Sequence, residues 1–228
     1  MNKKPFVFIS DFDGTITKRD FYWHMIDKYM PIEGIQWYQQ WKKGEFLDIE
    51  FLSKVFNSIN QTETQIIEDI LQIPIDPTLL PFIQYIKNHG GDFIIVSAGT
   101  SYYIDILLEF HGIHNDVILF SNPGFYKEKG LYFNLDPENP FYSSRYGIDK
   151  KKVVEALSEQ YNVLYYAGDS EPDYQASLLC NTRFAKGPLI DIYEENQIDF
   201  YPFTHFSEIQ SFICFGQTHS LNFLDKIR

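Results

Sequence analysis

Residues 6–10 (Phe6-Val7-Phe8-Ile9-Ser10) form an apolar run that stops abruptly at Asp11. A run of β-branched and aromatic residues without polar alternation predicts a strand covered on both faces. Runs of the same kind recur at 92–97 (DFIIVS), 117–121, 163–167 (VLYYA) and 182–185. Between them the period changes. Residues 77–89 carry Leu79, Leu80, Ile83 and Ile86 at helical spacing before Gly90-Gly91, a pattern that predicts a helix and its stop. Residues 102–110, 151–160 and 171–179 repeat it. Strands alternating with helices predict an α/β chain: a Rossmann-like, mostly parallel sheet with helices on both faces.

Two stretches break the alternation. Residues 18–75 read as helix only and hold Trp23, Trp37 and Trp41, with Pro31 and Gly44 cutting them into short pieces. This predicts a small all-helical cap domain inserted after the first strand, the core being 1–17 and 76–228, with residues 73–77 (IPIDP) as the return linker. Residues 122–149 are rich in Pro, Gly, Asn and Tyr. Phe125-Tyr126 and Leu131-Tyr132-Phe133 flank Lys127-Glu128-Lys129-Gly130, which predicts a hairpin flap.

The junction after the first strand carries the chemistry. Asp11-Phe12-Asp13-Gly14-Thr15 places two carboxylates at i and i+2, on one side of an extended chain, where ligands collect in open α/β sheets. That arrangement suits an aspartyl nucleophile, an acid/base partner and a Mg2+ site. Gly14 permits an immediate turn, and Thr15 offers a hydroxyl or N–H to an anion. Ser97 closes the second run and, with Ala98 and Gly99, forms an anion nest ahead of a helix. Lys150 heads the helix that continues through Lys151 and Lys152. One of these ammonium groups can neutralise a phosphoryl oxygen, and Lys150 is preferred for its place at the helix start. Asp169 follows the run at 163–167 and lies beside Asp11 if those strands are neighbours. Mg2+ takes few carboxylates and several waters, which suits Asp11, Asp169 and the Asp13 backbone carbonyl. Asp173, four residues on, would orient Lys150 or a metal-bound water.

These four elements, in this order from position 11 to position 173, resemble the haloacid dehalogenase superfamily of phosphohydrolases. The resemblance implies attack by Asp11 on phosphorus, an aspartyl-phosphate intermediate, and Asp13 as general acid and then general base. Dehalogenases lack the second aspartate and transport ATPases carry threonine there, so Asp13 favours a phosphate-ester hydrolase, with a mutase as an alternative. The helical insertion resembles the cap of the phosphoserine phosphatase branch. Its sequence, the flap and the segment 201–209 look most like the phosphatases of methionine salvage, which act on an enol phosphate. Phosphoserine, phosphocholine and pyridoxal phosphate remain rival substrates, and a non-catalytic phospholigand-binding module is the reading from another class. Arg19, Trp23 and His24 are the cap residues expected to touch substrate, with Phe21, Trp37 and Trp41 offering further rings.

The 228 residues carry 19 basic against 31 acidic side chains, a formal charge of −12. That balance disfavours nucleic acid and anionic membrane and leaves a small phosphorylated metabolite as the expected partner; a homodimer is an assembly left open. Cys180 and Cys214 form no CxxC pair and are expected to be small buried hydrophobes. No apolar run approaches the roughly 18 residues of a membrane helix. The stretch after Met1-Asn2-Lys3-Lys4 is cut short by Asp11, too early for a secretory signal, so a cytoplasmic location is expected. Arg183 and Lys186, flanking the last predicted strand, are expected at the surface, and His205 is expected to have no part in catalysis.

Overall fold

The computed structural model describes residues 3–214; the outermost bounds of the expected core lie outside them. The elements in chain order are β1 (Lys4–Ser10), α1 (Phe21–Tyr29), α2 (Glu33–Lys42), α3 (Asp48–Asn57), α4 (Glu63–Ile70), α5 (Leu79–Asn88), β2 (Asp92–Thr100), α6 (Ser101–Phe110) and β3 (Ile118–Asn122). Two hairpins follow, β4 (Gly124–Lys127) with β5 (Gly130–Phe133) and β6 (Tyr142–Ser143) with β7 (Gly147–Ile148). The chain continues through α7 (Lys150–Ser158), β8 (Tyr161–Gly168), α8 (Glu171–Ser177), β9 (Thr182–Ala185), α9 (Pro188–Glu195) and β10 (Tyr201–Pro202).

Six strands form a parallel sheet in the order β10-β9-β8-β1-β2-β3. Burial on both faces explains the unbroken apolar run of β1. Phe8 meets Phe82 edge-on at 4.7 Å and stacks on Phe93 at 5.5 Å on one face, while Val7 and Ile9 pack with Val96, Val153 and Tyr166 on the other. The chain leaves β1 toward β2 on one side and later returns to place β8 on the other. Strand order therefore reverses between β1 and β8, and the crevice at their carboxyl ends is where such folds bind ligands.

Helices α1–α4 stand between β1 and α5, and the chain enters and leaves them through an antiparallel bridge between Thr17 and Ile75. A ring cluster builds their inner surface, with Trp41 stacked on Phe51 at 4.7 Å and Trp23 against Tyr38 at 4.6 Å. Phe21 stacks on Tyr103 of α6 at 4.2 Å, so the insertion shares apolar packing with the sheet.

Asp69 ties α4 to α1. It is 8% exposed and accepts hydrogen bonds from Lys28 Nζ, Tyr29 OH and Gln65 Nε2. Burial would raise its carboxyl, but the bonds from Lys28 and Tyr29 outweigh burial and hold it below the usual range. A depressed folded-state pKa contributes stability above the unfolded value, near 4, and that contribution is lost as pH falls through the folded value. Asp69→Asn is therefore expected to cost about 1–3 kcal/mol at pH 7. In urea unfolding the gap from wild type narrows below about pH 4; an equal gap at pH 7 and pH 3 would exclude this role.

Several elements depart from the sequence reading. The helix expected at 77–89 begins at Leu79, and α9, β10 and the β6–β7 hairpin were not anticipated. The β4–β5 hairpin forms at the expected place around Glu128 and Lys129, both at positive φ. It packs on α3 and is tied to the loop that follows it, with Tyr126 OH donating to Gln61 O at 3.1 Å and Gln61 N donating to Lys129 O at 2.9 Å. Cys180 is buried as expected, whereas Cys214 is exposed with its thiol 3.2 Å from the Tyr85 hydroxyl. Among the described residues no helix is long and apolar enough to cross a membrane.

Candidate active site

Asp11 leaves the end of β1 with its N–H bonded to Ala167 O of β8 at 2.9 Å, so the strand pairing itself brings Asp11 and Asp169 together. Lys150, at the first position of α7, is 6% exposed. Its Nζ donates to Asp11 Oδ1 at 2.6 Å and to Asp173 Oδ1 at 2.7 Å. A cation at a helix N-terminus opposes the helix dipole; here the two carboxylates outweigh both that and burial, and raise Lys150 above its ordinary value. Lys151 instead pairs with Glu155, and Lys152 Nζ reaches Tyr142 O. Of the three lysines the structure brings Lys150 to the aspartates.

Asp173 is saturated. Oδ1 accepts from Lys150 and from Tyr166 OH at 2.8 Å, and Oδ2 accepts from the N–H groups of Asp169 and Ser170 at 3.0 and 3.2 Å. Asp11, Asp169 and Asp173 present carboxylate oxygens within 4.8 Å of one another, the arrangement of a cation site. Of their carboxylate oxygens, Asp11 Oδ2 and Asp169 Oδ1 are buried without a hydrogen-bond partner. Those two oxygens fit the one or two carboxylates that Mg2+ takes, while Asp173 has no lone pair to spare for it. Gly14, at φ +78°, completes the cradle: a Cβ there would lie 2.3 Å from Asp169 Oδ2.

Asp13 is held at both oxygens, Oδ1 by the N–H of Phe21 at 3.0 Å and Oδ2 by the hydroxyl of Tyr103. The two aspartates of the motif have different surroundings. Burial pushes Asp11 up to about 7 against the pull of Lys150. Burial, and then the nearby Asp20, push Asp13 up to about 8. The ammonium on Asp11 favours its charged form, whereas Asp13 is held by an N–H and a phenol with no cation in hydrogen-bond contact.

Ser97 is buried and accepts from Gly99 N at 3.0 Å. The strand does not end at Ser97 as expected. It runs to Thr100 with a register irregularity between Val96 and Thr100, a kind of bend that re-aims side chains at a site. Ser97, Ala98 and Gly99 all line the cleft.

The cleft has a volume of about 610 Å³. Its base is Asp11, Asp13, Lys150 and Asp169, and its upper wall comes from Asp20, Tyr22, Trp23, Tyr38, Trp41 and Lys42 of the helical insertion. Arg145 and Tyr146, in the β6–β7 turn, close one side. Arg145 Nε donates to Asp48 Oδ2 at 2.8 Å, and Tyr146 OH donates to Glu171 Oε2 at 2.6 Å.

Three expected contacts fall outside it. Arg19 turns away to pair with Asp27 at 2.5 Å, its guanidinium over the Trp23 ring. His24 is half-buried away from the cleft, where burial lowers its pKa. Thr15 lies behind the wall, its hydroxyl buried without a partner and its carbonyl accepting from Lys186 Nζ at 3.0 Å. Lys186 is thereby more than a surface residue, since it also reaches Thr204 O at 3.2 Å. Trp37 lies outside the cleft too, beneath Lys54. Tyr103, Asp20 and Arg145 were missed: Tyr103 shares the apolar face of α6 with Leu107, a pattern that reads as core alone.

Fold and site together define a phosphatase, on a fold shared with a hydrolase of the haloacid dehalogenase superfamily. Solved structures agree on the fold, a hydrolase of that superfamily from Salmonella enterica serovar Typhi matching with a TM-score of 0.70 at 16% identity over 89% of this chain and 69% of its own. A phosphoserine phosphatase captured as a phospho-aspartyl intermediate analogue matches with a TM-score of 0.66 at 17% identity over 93% and 99%. The chain belongs to the Putative Phosphatase family, whose family model matches residues 6–185. A curated relative, the 2-hydroxy-3-keto-5-methylthiopentenyl-1-phosphate phosphatase of Lysinibacillus sphaericus, is 28% identical over 216 residues, spanning 90% of this chain and 92% of its own length.

Proposed function

We propose that the chain hydrolyses a small phosphate monoester with Asp11 as covalent nucleophile, residues 18–75 serving as a cap on a core of 1–17 and 76–228. The observation that carries this reading is the Lys150 bridge between Asp11 and Asp173, which leaves Asp11 Oδ2 buried and bare. A carboxylate oxygen of Asp11 forms a bond to phosphorus while the bond from phosphorus to the substrate oxygen breaks. The leaving oxygen takes the proton of Asp13. Asp13 then removes a proton from water, which attacks the same phosphorus, and Asp11 and inorganic phosphate are released. Lys150 keeps Asp11 ionised and in place, Ser97 and the bend after it face the phosphate oxygens, and Asp173 fixes Lys150.

Asp11, Asp169 and the Asp13 carbonyl are the groups that would hold Mg2+, which supplies positive charge against the phosphate dianion. The ring wall of Tyr22, Trp23, Tyr38 and Trp41 suits an apolar leaving group. Together with the activity named for the relatives, it supports the methionine-salvage enol phosphate as substrate. Asp20, half-buried beside those rings, favours a second reading, an amine-bearing leaving group such as phosphocholine or phosphoserine.

Phosphate release should be followed with Mg2+ on the enol phosphate, phosphoserine, phosphocholine, pyridoxal phosphate and a generic aryl phosphate. The enol phosphate is expected to exceed the aryl phosphate by at least about tenfold in kcat/KM, roughly 1.4 kcal/mol of added transition-state binding. A phosphocholine preference of that size would select the second reading. No release from any member would contradict a phosphomonoesterase.

A further inference from the structure

Tyr103 stands on α6, just beyond the Ser97–Gly99 bend, with its side chain 1% exposed at the floor of the cleft. Its hydroxyl meets Asp13 Oδ2, while the Phe21 N–H at the first turn of α1 meets Asp13 Oδ1 at 3.0 Å. The Asp13 carboxyl is thus held from the core side by one group and from the helical insertion by the other. The Phe21 and Tyr103 rings, stacked at 4.2 Å with 24° between their planes, lock the two holders together. Gly99 leaves the room this needs: a Cβ there would lie 1.8 Å from the phenol oxygen and 2.9 Å from Asp13 Oδ2.

The two holders are not equivalent. A backbone N–H is fixed by the main chain, whereas a phenol hydroxyl turns about its C–O bond and keeps donating to Oδ2 when the carboxyl is protonated, which leaves the acid proton free for the leaving oxygen. The contact to Tyr103 therefore persists through both protonation states of an acid/base group, and Phe21 N–H fixes the other oxygen throughout. The last torsion of an aspartate is broad and soft, so a carboxyl without such holders turns its plane freely about the Cβ–Cγ bond.

We propose that Tyr103 is the positioning residue for Asp13, holding its carboxyl plane so that the leaving oxygen and then the attacking water meet the same edge. This rests on the reading of Asp13 as the general acid and base. Misplacing a reacting group by about 1 Å costs on the order of 100-fold. Losing one of two holders is expected to cost about 10- to 100-fold in kcat/KM wherever the leaving group needs a proton.

The test is the dependence of kcat/KM on leaving-group basicity for wild type, Tyr103→Phe, Gly99→Ala and Asp13→Asn, from an alkyl phosphate through phenyl phosphate to 2,4-dinitrophenyl phosphate, each protein first checked for a cooperative thermal transition. Tyr103→Phe keeps the stacked ring and removes only the oxygen. It is expected to lose most on the alkyl phosphate, with the loss shrinking to within about threefold on the dinitrophenyl ester, whose anion departs without a proton. Gly99→Ala, whose Cβ crowds both the phenol oxygen and Asp13 Oδ2 with the Tyr103 side chain intact, should steepen the dependence in the same direction and serves if Tyr103→Phe does not fold. An equal loss along the series, or none, in a folded Tyr103→Phe would overturn the positioning role, provided Asp13→Asn shows the leaving-group-dependent loss. A flat loss in Asp13→Asn would overturn the acid reading and this role with it.

Discussion

Asp11→Asn is expected to cut phosphate release by at least about 10⁴-fold while leaving the protein folded. Removal of a covalent nucleophile is among the most costly single changes an active site can suffer, and a carboxamide neither attacks phosphorus nor carries the charge that Lys150 orients. The fold should tolerate it because Asp11 makes an unfavourable buried charge, its pKa pushed up to about 7 by desolvation, and asparagine fills nearly the same volume. Lys150 retains Asp173 as a partner. Steady-state phosphate release and thermal unfolding measured together check both halves. Activity above about 1% of wild type, in a preparation free of deamidated protein, would remove Asp11 from the nucleophile role.

Lys150→Met is expected to damage both activity and stability. The ammonium is the only cation that contacts Asp11 and Asp173 among the described residues, and both carboxylates are buried. Deleting one member of a buried ion pair leaves an uncompensated charge and costs about 3–5 kcal/mol. The same change lets Asp11 take up a proton near neutral pH, so turnover should fall by on the order of 10³-fold or more. The sign of the pH effect follows. Lys150 pulls the Asp11 carboxyl down against burial; in the variant that pull is gone, Asp11 titrates at higher pH and becomes neutral, so acidification relieves the penalty. The stability gap between wild type and Lys150→Met should therefore narrow from pH 8 to pH 5. A variant as stable as wild type at pH 8 would show that the bridge does not hold the site together.

Much of this framework is legible in the chain because the strands that carry it are covered on both faces. That requirement writes β1 and β8 as continuous apolar runs, and the polar residues that end them, Asp11 and Asp169, stand out against it. The spacing of Asp169 and Asp173 likewise reflects local geometry, since residue 173 must return to the N–H groups of 169 and 170 within one helical turn. Lys150 was singled out from its neighbours by helix position alone, and the packing of α7 on the sheet explains the result: Lys150 lies on the face shared with Val153, Val154 and Leu157, while Lys151 and Lys152 are exposed.

The cleft wall was harder to read. Contact with substrate there depends on helix phase, and a step of one residue turns a side chain by about 100°. Trp23 faces the cleft and His24 does not. Arg19 precedes α1 and finds a carboxylate at Asp27 on the outside of the insertion. Arg145 and Tyr146 sit in a turn between strands of two residues each, too short for any periodicity to announce. Tyr103 is hidden for the opposite reason, because a buried tyrosine on an apolar helix face has the same sequence signature whether or not its hydroxyl has a partner.

The covalent step is tested most directly by acid-quenching the wild-type protein within its first turnover on the best substrate of the panel, then locating the trapped phosphoryl group by peptide mass spectrometry. The phosphoryl group is expected on the peptide containing Asp11, at the Asp11 side chain, and absent from Asp11→Asn. A phosphoryl group on another residue, or product formed in a full burst with none trapped at Asp11, would contradict the aspartyl-phosphate mechanism.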